Sequence, residues 1–121
     1  MKKKVDRKRN GNAANNGSKW ITRKRRYAIY ERDDFRCVYC GKPMEEAKHP
    51  FTLDHIVPCE LGGTHESGNL ATACKFCNTR KRDKSQRQFF AYLRKLGVDT
   101  DKIKNRIRRN VRRALKGNFK L

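Results

Sequence analysis

Acidic residues are scarce in this chain of 121 residues, which has 12 Asp and Glu against 32 Lys and Arg. The net charge of +20 points to a polyanionic partner, and nucleic acid is the obvious candidate. A purely solubilising role for the charge is the alternative. Long apolar runs are also missing: none approaches the ~20 residues of a membrane span, and no signal-peptide core follows the N-terminal lysines. We therefore expect a cytoplasmic protein without a membrane partner, in a compartment where disulfides are rare.

Apolar residues make up only 36% of the chain, so a core built from them needs reinforcement. The charge is unevenly spread, with +10 over residues 1–26, −2 over residues 27–80 and +12 over residues 81–121. Two such basic arms repel each other unless a polyanion lies between them. The composition predicts a disordered basic arm over residues 1–18, a folded core over residues 19–84 and basic C-terminal helices over residues 85–121.

Apolar spacing predicts three helices outside the middle segment. The first covers about residues 22–32. The second covers residues 85–96, with Ser85 as its N-cap and Gly97 as its stop. The third begins near Asp99 or Thr100, and one apolar stripe recurs every four residues along it: Ile103, Ile107, Val111 and Leu115. Three aromatic residues are expected to lie in the core: Trp20, Tyr27 and Tyr30.

Four of the five cysteines form two pairs, Cys37-Val-Tyr-Cys40 and Cys74-Lys-Phe-Cys77. Two residues between thiolates form a tight knuckle, so both sulfurs can face one ion. The two pairs predict a structural Zn²⁺ with four thiolate ligands, whose binding energy adds to the folding energy. A redox pair and unligated core cysteines are the alternatives, although redox chemistry needs only one pair. Cys59 is expected to be a buried thiol rather than a fifth ligand.

The insertion between the two knuckles holds an acid next to an imidazole, Asp54-His55, inside a short apolar run. An Asp-His pair is by itself more often structural than catalytic. Neighbouring residues of a regular strand point to opposite faces, so a shared role needs a bend or strand end, which we predict between residues 54 and 58. A strand, a Gly-Gly turn, a second strand near Asn69-Leu70 and a helix from about Cys74 predict a ββα unit.

The motif residues, in chain order, are Cys37, Cys40, Asp54-His55-Ile56, Gly62-Gly63, Asn69-Leu70, Cys74 and Cys77-Asn78. Together they resemble the zinc-bearing branch of the HNH endonucleases, whose ββα-metal (His-Me finger) fold also supplies one nuclease domain of RNA-guided CRISPR nucleases. The resemblance covers about residues 30–85. It implies an α+β fold, a small zinc-stabilised ββα-metal core with flanking basic helices.

The resemblance also implies a role for each matching residue. His55 matches the general base that takes a proton from water, and Asp54 matches a ligand of a catalytic divalent metal. Asn69 matches the residue that braces the hairpin. Asn78 stands where the family name has histidine, so the chain is an HNN variant with a second metal ligand of oxygen type. Oxygen donors suit Mg²⁺ or Mn²⁺, and a single carboxylate at the site predicts a single catalytic ion.

The resemblance therefore implies an endonuclease that hydrolyses DNA phosphodiester bonds, by nicking or by cutting both strands. A non-catalytic zinc module that binds DNA or RNA is the alternative, and it has no need of Asp54-His55. Basic residues on two elements are expected to contact phosphates, with simple exposure to solvent as the alternative: Arg80, Lys81, Arg82, Lys84, Arg108, Arg109, Arg112 and Arg113. His49 is expected to be a loop residue. His65 is expected to be an exposed turn residue, with a DNA contact as the alternative.

Overall fold

The computed structural model of the protein describes residues 20–116. The predicted basic arm over residues 1–18 lies outside the described residues. Four helices and a two-stranded antiparallel sheet make up the regular structure of this part of the chain, so the predicted α+β class is confirmed. In chain order they are α1 (Arg23–Arg32), β1 (Thr52–His55), β2 (Leu70–Ala73), α2 (Lys75–Lys81), α3 (Gln86–Lys95) and α4 (Thr100–Val111). Three single-turn 3₁₀ helices lie between them, at Met44–Glu46, Cys59–Leu61 and Ser67–Asn69.

The sheet and α2 form the predicted ββα unit. β1 pairs with β2 so that Leu53 faces Thr72 and His55 faces Leu70. All four residues of β2 are buried, because α1 and α4 pack against this strand. Helix α2 follows β2 after one residue and packs against β1. The second zinc knuckle and the Asp-His pair are therefore held by neighbouring elements.

A buried ion pair attaches α1 to β2. Arg32 Nε lies 2.9 Å from Asp33 Oδ1, and the same guanidinium donates to the backbone oxygens of Ser67 and Leu70. The second oxygen of Asp33 accepts from Thr72 N–H at 2.9 Å. Both charges are buried, and each is satisfied by the partner and by backbone groups, which is the condition for tolerating buried charge. This network holds β2 in place against the end of α1.

The two C-terminal helices pack on the same core as the sheet. Ser85 and Gln88 form a reciprocal capping box at the start of α3, and Gly97 follows with φ +84°. Asp99 caps α4 through the Lys102 N–H. The predicted positions of both helices are thereby confirmed. Buried side chains on their inner faces are Phe89, Phe90, Leu93, Ile103 and Ile107.

Two apolar predictions are wrong. Leu115 does not extend the stripe of α4, because the helix ends at Val111 and Leu115 is 37% exposed. Tyr27 is also on the surface at 37% exposed, whereas Tyr30 is buried and its hydroxyl donates to Phe51 O at 2.9 Å. Trp20 packs partly buried against the core. Among residues 20–116, no helix has the length and apolar character to span a membrane.

Candidate active site and zinc centre

The four paired cysteines meet at one point. The sulfur atoms of Cys37, Cys40, Cys74 and Cys77 all lie within 4.8 Å of one another. The Cys40 and Cys74 sulfurs, one from each knuckle, are 3.8 Å apart. A tetrahedral ion with metal–sulfur distances of ~2.3 Å requires sulfur–sulfur edges of ~3.8 Å. The cluster therefore fits a zinc ion of four thiolates, and the predicted grouping is confirmed.

Local backbone geometry shapes both knuckles. In the first, Gly41 N–H donates to Cys37 O at 2.8 Å and Gly41 adopts φ +80°, a conformation that favours glycine. In the second, Cys74 is the N-cap of α2, and its sulfur accepts from Cys77 N–H at 3.4 Å. Arg106 of α4 donates to Val38 O at 2.8 Å and so ties the first knuckle to the C-terminal helix.

The thiols of this cluster shift one another's pKa values. Hydrogen bonds from Cys37 and Cys77 lower the pKa of Cys40 to about 2. The hydrogen bond with Cys40 raises the pKa of Cys37 to about 12, and bonds with Cys37 and Cys40 raise that of Cys77. Without a metal, one thiolate stabilised by its neighbours is thus favoured over four. A divalent ion removes that restriction because it compensates the repulsion between thiolates.

Asp54 lies on β1 with only 4% of its surface exposed. Tyr39, from inside the first zinc knuckle, donates its hydroxyl to Asp54 Oδ2. Lys81, at the end of α2, places its ammonium 3.2 Å from Asp54 Oδ1 and donates to His55 O at 2.9 Å. Burial raises the pKa of Asp54, while Lys81 and Tyr39 act in the opposite direction. Each carboxylate oxygen keeps one lone pair for a further ligand.

His55 is the last residue of β1, and the chain bends at residues 56–57 immediately after it. The bend falls in the predicted interval of residues 54–58. His55 Nε2 lies 2.9 Å from His65 Nδ1, and the Trp20 ring lies against both imidazoles at centroid distances of 4.9 and 4.8 Å. The pKa of His55 is lowered to about 4, mainly by burial and to a smaller extent by the charges of His65 and Lys81. The imidazole is therefore neutral at neutral pH.

Asn69 holds the loop that follows β1. Its Oδ1 accepts from Val57 N–H at 2.8 Å, and its Nδ2 donates to Val57 O at 3.0 Å and Thr64 O at 2.8 Å. Both ends of the loop are thus anchored to one side chain. The backbone of Gly63 lies very close to the backbone of Val57, since a Cβ built on Gly63 would lie 1.6 Å from Val57 O. Only glycine fits at this crossing.

Replacing Gly63 by alanine should therefore destabilise the protein by about 1–3 kcal/mol, because the loop must move away from Val57 to admit the methyl group. Gly68→Ala is the matched control, since a Cβ added to Gly68 would have nothing within 4 Å. We expect Gly68→Ala to change stability by less than about 0.5 kcal/mol. Thermal unfolding followed by circular dichroism measures both, and equal melting temperatures for the two variants would contradict the close approach.

One cleft of about 380 Å³ brings the motif residues together: it is lined by Asp54, His55 and Asn78, among others. Glu60 and Asp83 also line it, so the expectation of a single carboxylate at the site is wrong. The half-buried side-chain amide of Asn78 has no hydrogen-bond partner among residues 20–116. Asp54 and Asn78 therefore fit a hard divalent cation such as Mg²⁺ or Mn²⁺, because they offer oxygen donors from two elements to one opening.

The basic residues predicted to contact phosphates have different environments. Arg82 lines the cleft, and Arg108, Arg109 and Arg112 are exposed. The prediction for Lys81 is wrong, because its side chain is fully buried against Asp54. Arg113 pairs with Asp34 at 3.0 Å and donates to Arg32 O.

Aromatic rings lie against two further basic residues that were predicted to contact phosphates, Arg80 on α2 and Lys84 after it. The Arg80 guanidinium lies 4.6 Å from the ring centre of Phe76, which is 64% exposed. Lys84 lies 5.8 Å from the ring centre of Tyr92. Phe76 and Arg80 are exposed to solvent in this group of two cations and two rings.

Sequence reasoning missed several residues around the site. Lys81 follows Asn78 by three residues, which places both on one face of α2, so helical spacing was an available signal. Nothing in the sequence pairs Tyr39 with Asp54. The expectation of a buried Cys59 is wrong, since its thiol is exposed. His65 is exposed as expected, but its ring is engaged by His55 and Trp20.

Comparison with known proteins agrees with this geometry. Residues 37–93 match the model of a family described as HNH endonuclease. Over 57 residues the chain is 37% identical to the CRISPR-associated endonuclease Cas9 of Corynebacterium diphtheriae, a match covering 46% of this chain and 5% of that protein. The chain thus corresponds to a small part of that relative's length. No match was found among the solved structures.

Proposed function

Because residues 37–93 belong to the HNH endonuclease family, we propose that this chain is a divalent-metal-dependent endonuclease that hydrolyses DNA phosphodiester bonds. One observation carries the proposal: Asp54, His55 and Asn78 line a single cleft beside a cluster of four cysteines. A module that only binds nucleic acid has no need for a neutral imidazole and two oxygen donors around one opening.

His55 is the general base in this proposal. Its Nε2 is held by His65, whereas Nδ1 has no hydrogen-bond partner among the described residues. When Nε2 carries the proton and donates it to His65 Nδ1, the lone pair of His55 Nδ1 is free to accept a proton from water. His65 is then a positioning residue that selects the tautomer. The activated water attacks phosphorus in line with the departing 3′-oxygen.

Asp54 and Asn78 would hold the catalytic metal, which when bound stabilises the negative charge that develops on the phosphate and the leaving oxygen. Tyr39 and Lys81 orient the Asp54 carboxylate from the buried side. Lys81 also fixes the His55 backbone through its carbonyl. One buried ammonium thereby positions both the proposed metal ligand and the proposed base, without contacting substrate.

The nucleic-acid affinity is proposed to come from charge rather than from base recognition. Arg82 lines the cleft, and three arginines of the α4 end are exposed: Arg108, Arg109 and Arg112. Contacts of this kind bind phosphates without regard to sequence and weaken as salt rises. The choice of DNA as substrate rests on the family resemblance, and RNA is the alternative that the assay must exclude.

Incubation with supercoiled plasmid tests the proposal. We expect conversion to nicked or linear DNA with Mg²⁺ or Mn²⁺ and no conversion in excess chelator at a concentration that leaves the four-cysteine zinc in place. Nicks should be sealed by DNA ligase, because hydrolysis that expels the 3′-oxygen leaves 5′-phosphate and 3′-hydroxyl ends. A labelled RNA of matched length should remain intact. Binding of plasmid without cleavage under any metal would identify a binding module instead.

A further inference from the structure

A second cluster of metal-binding side chains surrounds the proposed base. The ligand atoms of His55, Cys59 and His65 all lie within 4.8 Å of one another. Cys59 begins the 3₁₀ helix Cys59–Leu61, and His65 follows the Gly62-Gly63 turn, so the loop after β1 brings both toward the strand end. The proposed hydrolysis gives the Cys59 thiol no role, and it does not require three metal-binding atoms to lie this close together.

This donor set has a definite chemical preference. Two imidazoles and a thiolate suit Zn²⁺ and other borderline-soft divalent ions, whereas Mg²⁺ and Mn²⁺ favour the oxygen donors of Asp54 and Asn78. Three protein ligands leave a fourth position of a tetrahedral ion open. The geometry is close to that required: the two imidazole nitrogens are 2.9 Å apart, and a tetrahedral zinc with bonds of ~2.0–2.1 Å needs ~3.3 Å.

We propose that His55, Cys59 and His65 form a second metal site, selective for Zn²⁺-class ions, whose occupation inhibits the nuclease. The metal takes the place of the proton between His55 Nε2 and His65 Nδ1: that proton moves through solvent to His55 Nδ1, and the Cys59 thiol releases its proton to solvent as the thiolate binds. A neutral imidazole bound to metal through Nε2 must carry its proton on Nδ1. That nitrogen is the one proposed to accept the proton of water, so the loaded site has no base. The inhibition rests on the proposed function, whereas the metal binding does not.

Contacts within the loop hold the three ligand residues of this cluster in position. Asn69 anchors the loop at Val57 and Thr64, directly before His65. Gly63 is forced into contact with the Val57 carbonyl. Trp20 covers both imidazoles on one side. The three ligands are therefore presented by backbone that is fixed without metal, which lowers the cost of ordering them on binding.

Trp20, the one tryptophan of the chain, allows a direct binding test that does not depend on cleavage. Protein carrying one tightly bound Zn²⁺ per chain is titrated with Co²⁺ while indole fluorescence is recorded. Co²⁺ at the second site lies beside Trp20 and should quench its emission, with one equivalent bound and reversal by added Zn²⁺. A thiolate-to-cobalt absorption band should rise in parallel.

Cys59→Ser should weaken the Co²⁺ affinity by about tenfold or more and abolish the thiolate band, since one ligand is lost. The double variant Cys59→Ser/His65→Ala should not bind a second equivalent. His49→Ala is the control and should match wild type, because His49 is an exposed loop residue outside the cluster. Equal quenching in wild type and the double variant, or no second equivalent in wild type, would overturn the site.

Cleavage in Mg²⁺ then tests the regulatory half. Added Zn²⁺ should inhibit wild type over the range that fills the second site, and Cys59→Ser should require at least about tenfold more Zn²⁺ relative to its own uninhibited rate. Full activity of wild type with the second site filled would overturn the inhibition. An inactive wild type overturns the proposed nuclease function and the inhibition with it, while the fluorescence titration still decides the metal site.

Discussion

Replacing His55 by alanine is expected to lower the rate of plasmid nicking by about 10²–10⁴-fold, because the variant lacks the group proposed to take the proton from water. The protein should remain folded. His55 is half-buried at the end of β1, and its strand pairing with Leu70 uses backbone groups only. The affinity for DNA should also persist, since phosphate contacts are assigned to arginines elsewhere. A loss of rate without a loss of binding separates catalysis from affinity.

The matched control for this prediction is His49→Ala, which removes an exposed imidazole outside the cleft. It should cleave at the wild-type rate. Three measurements decide the case: initial nicking rate with Mg²⁺, melting temperature and affinity for DNA at one fixed salt concentration. If His55→Ala nicks as fast as His49→Ala, His55 is not the base and the proposed mechanism fails.

Substitution of Cys74 by serine is expected to abolish stable folding. Cys74 is a proposed zinc ligand in the four-cysteine cluster, the N-cap of α2 and the residue between β2 and that helix. Structural zinc contributes apparent binding energies of about 10–16 kcal/mol at neutral pH, which exceeds the whole stability of most small domains. The remaining thiols also repel when ionised. Loss of one ligand should therefore remove the cooperative thermal transition and about one zinc per chain.

Cys59→Ser is the control for this prediction, because Cys59 is exposed and lies outside the four-cysteine cluster. Its melting temperature should stay within a few degrees of wild type. Circular dichroism and the zinc content of purified protein measure both variants. A native spectrum for Cys74→Ser, or for wild type stripped of zinc, would show that packing alone holds the ββα unit.

The features that sequence predicted well depend on short-range rules. The two cysteine knuckles have a spacing that lets both sulfurs of a pair face one ion. Helix α3 begins and ends where Ser85 and Gly97 predicted, and α1 and α4 begin close to their predicted starts, whereas α4 ends before Leu115. The role predicted for Asn69 stays a proposal for catalysis, although its three bonds across the loop match the bracing expected of it.

The errors concern side chains whose surroundings come from distant parts of the chain. Lys81 reads as one of several surface cations in "TRKRDK", and it is the buried partner of Asp54, 27 residues earlier. Cys59 reads as a core thiol, and it is exposed beside two imidazoles. The sequence of a basic or an apolar run does not show which of its side chains is buried, because burial depends on the distant residues that pack against the run.

The sequence alone indicated the class of this protein: a basic chain whose cysteine pairs, Asp-His pair and asparagines occur in an order that resembles the zinc-bearing HNH endonucleases and their ββα unit. These properties are local, since turn geometry, helix periodicity and metal-ligand spacing act over a few residues. The tertiary structure alone decided which groups surround the imidazole of His55. Trp20 lies against the ring, and Cys59 and His65 place their ligand atoms within 4.8 Å of it, while Lys81 binds the His55 carbonyl. These residues belong to separate parts of the chain, and only the packing of β1 against α2 and the folded loop brings them together.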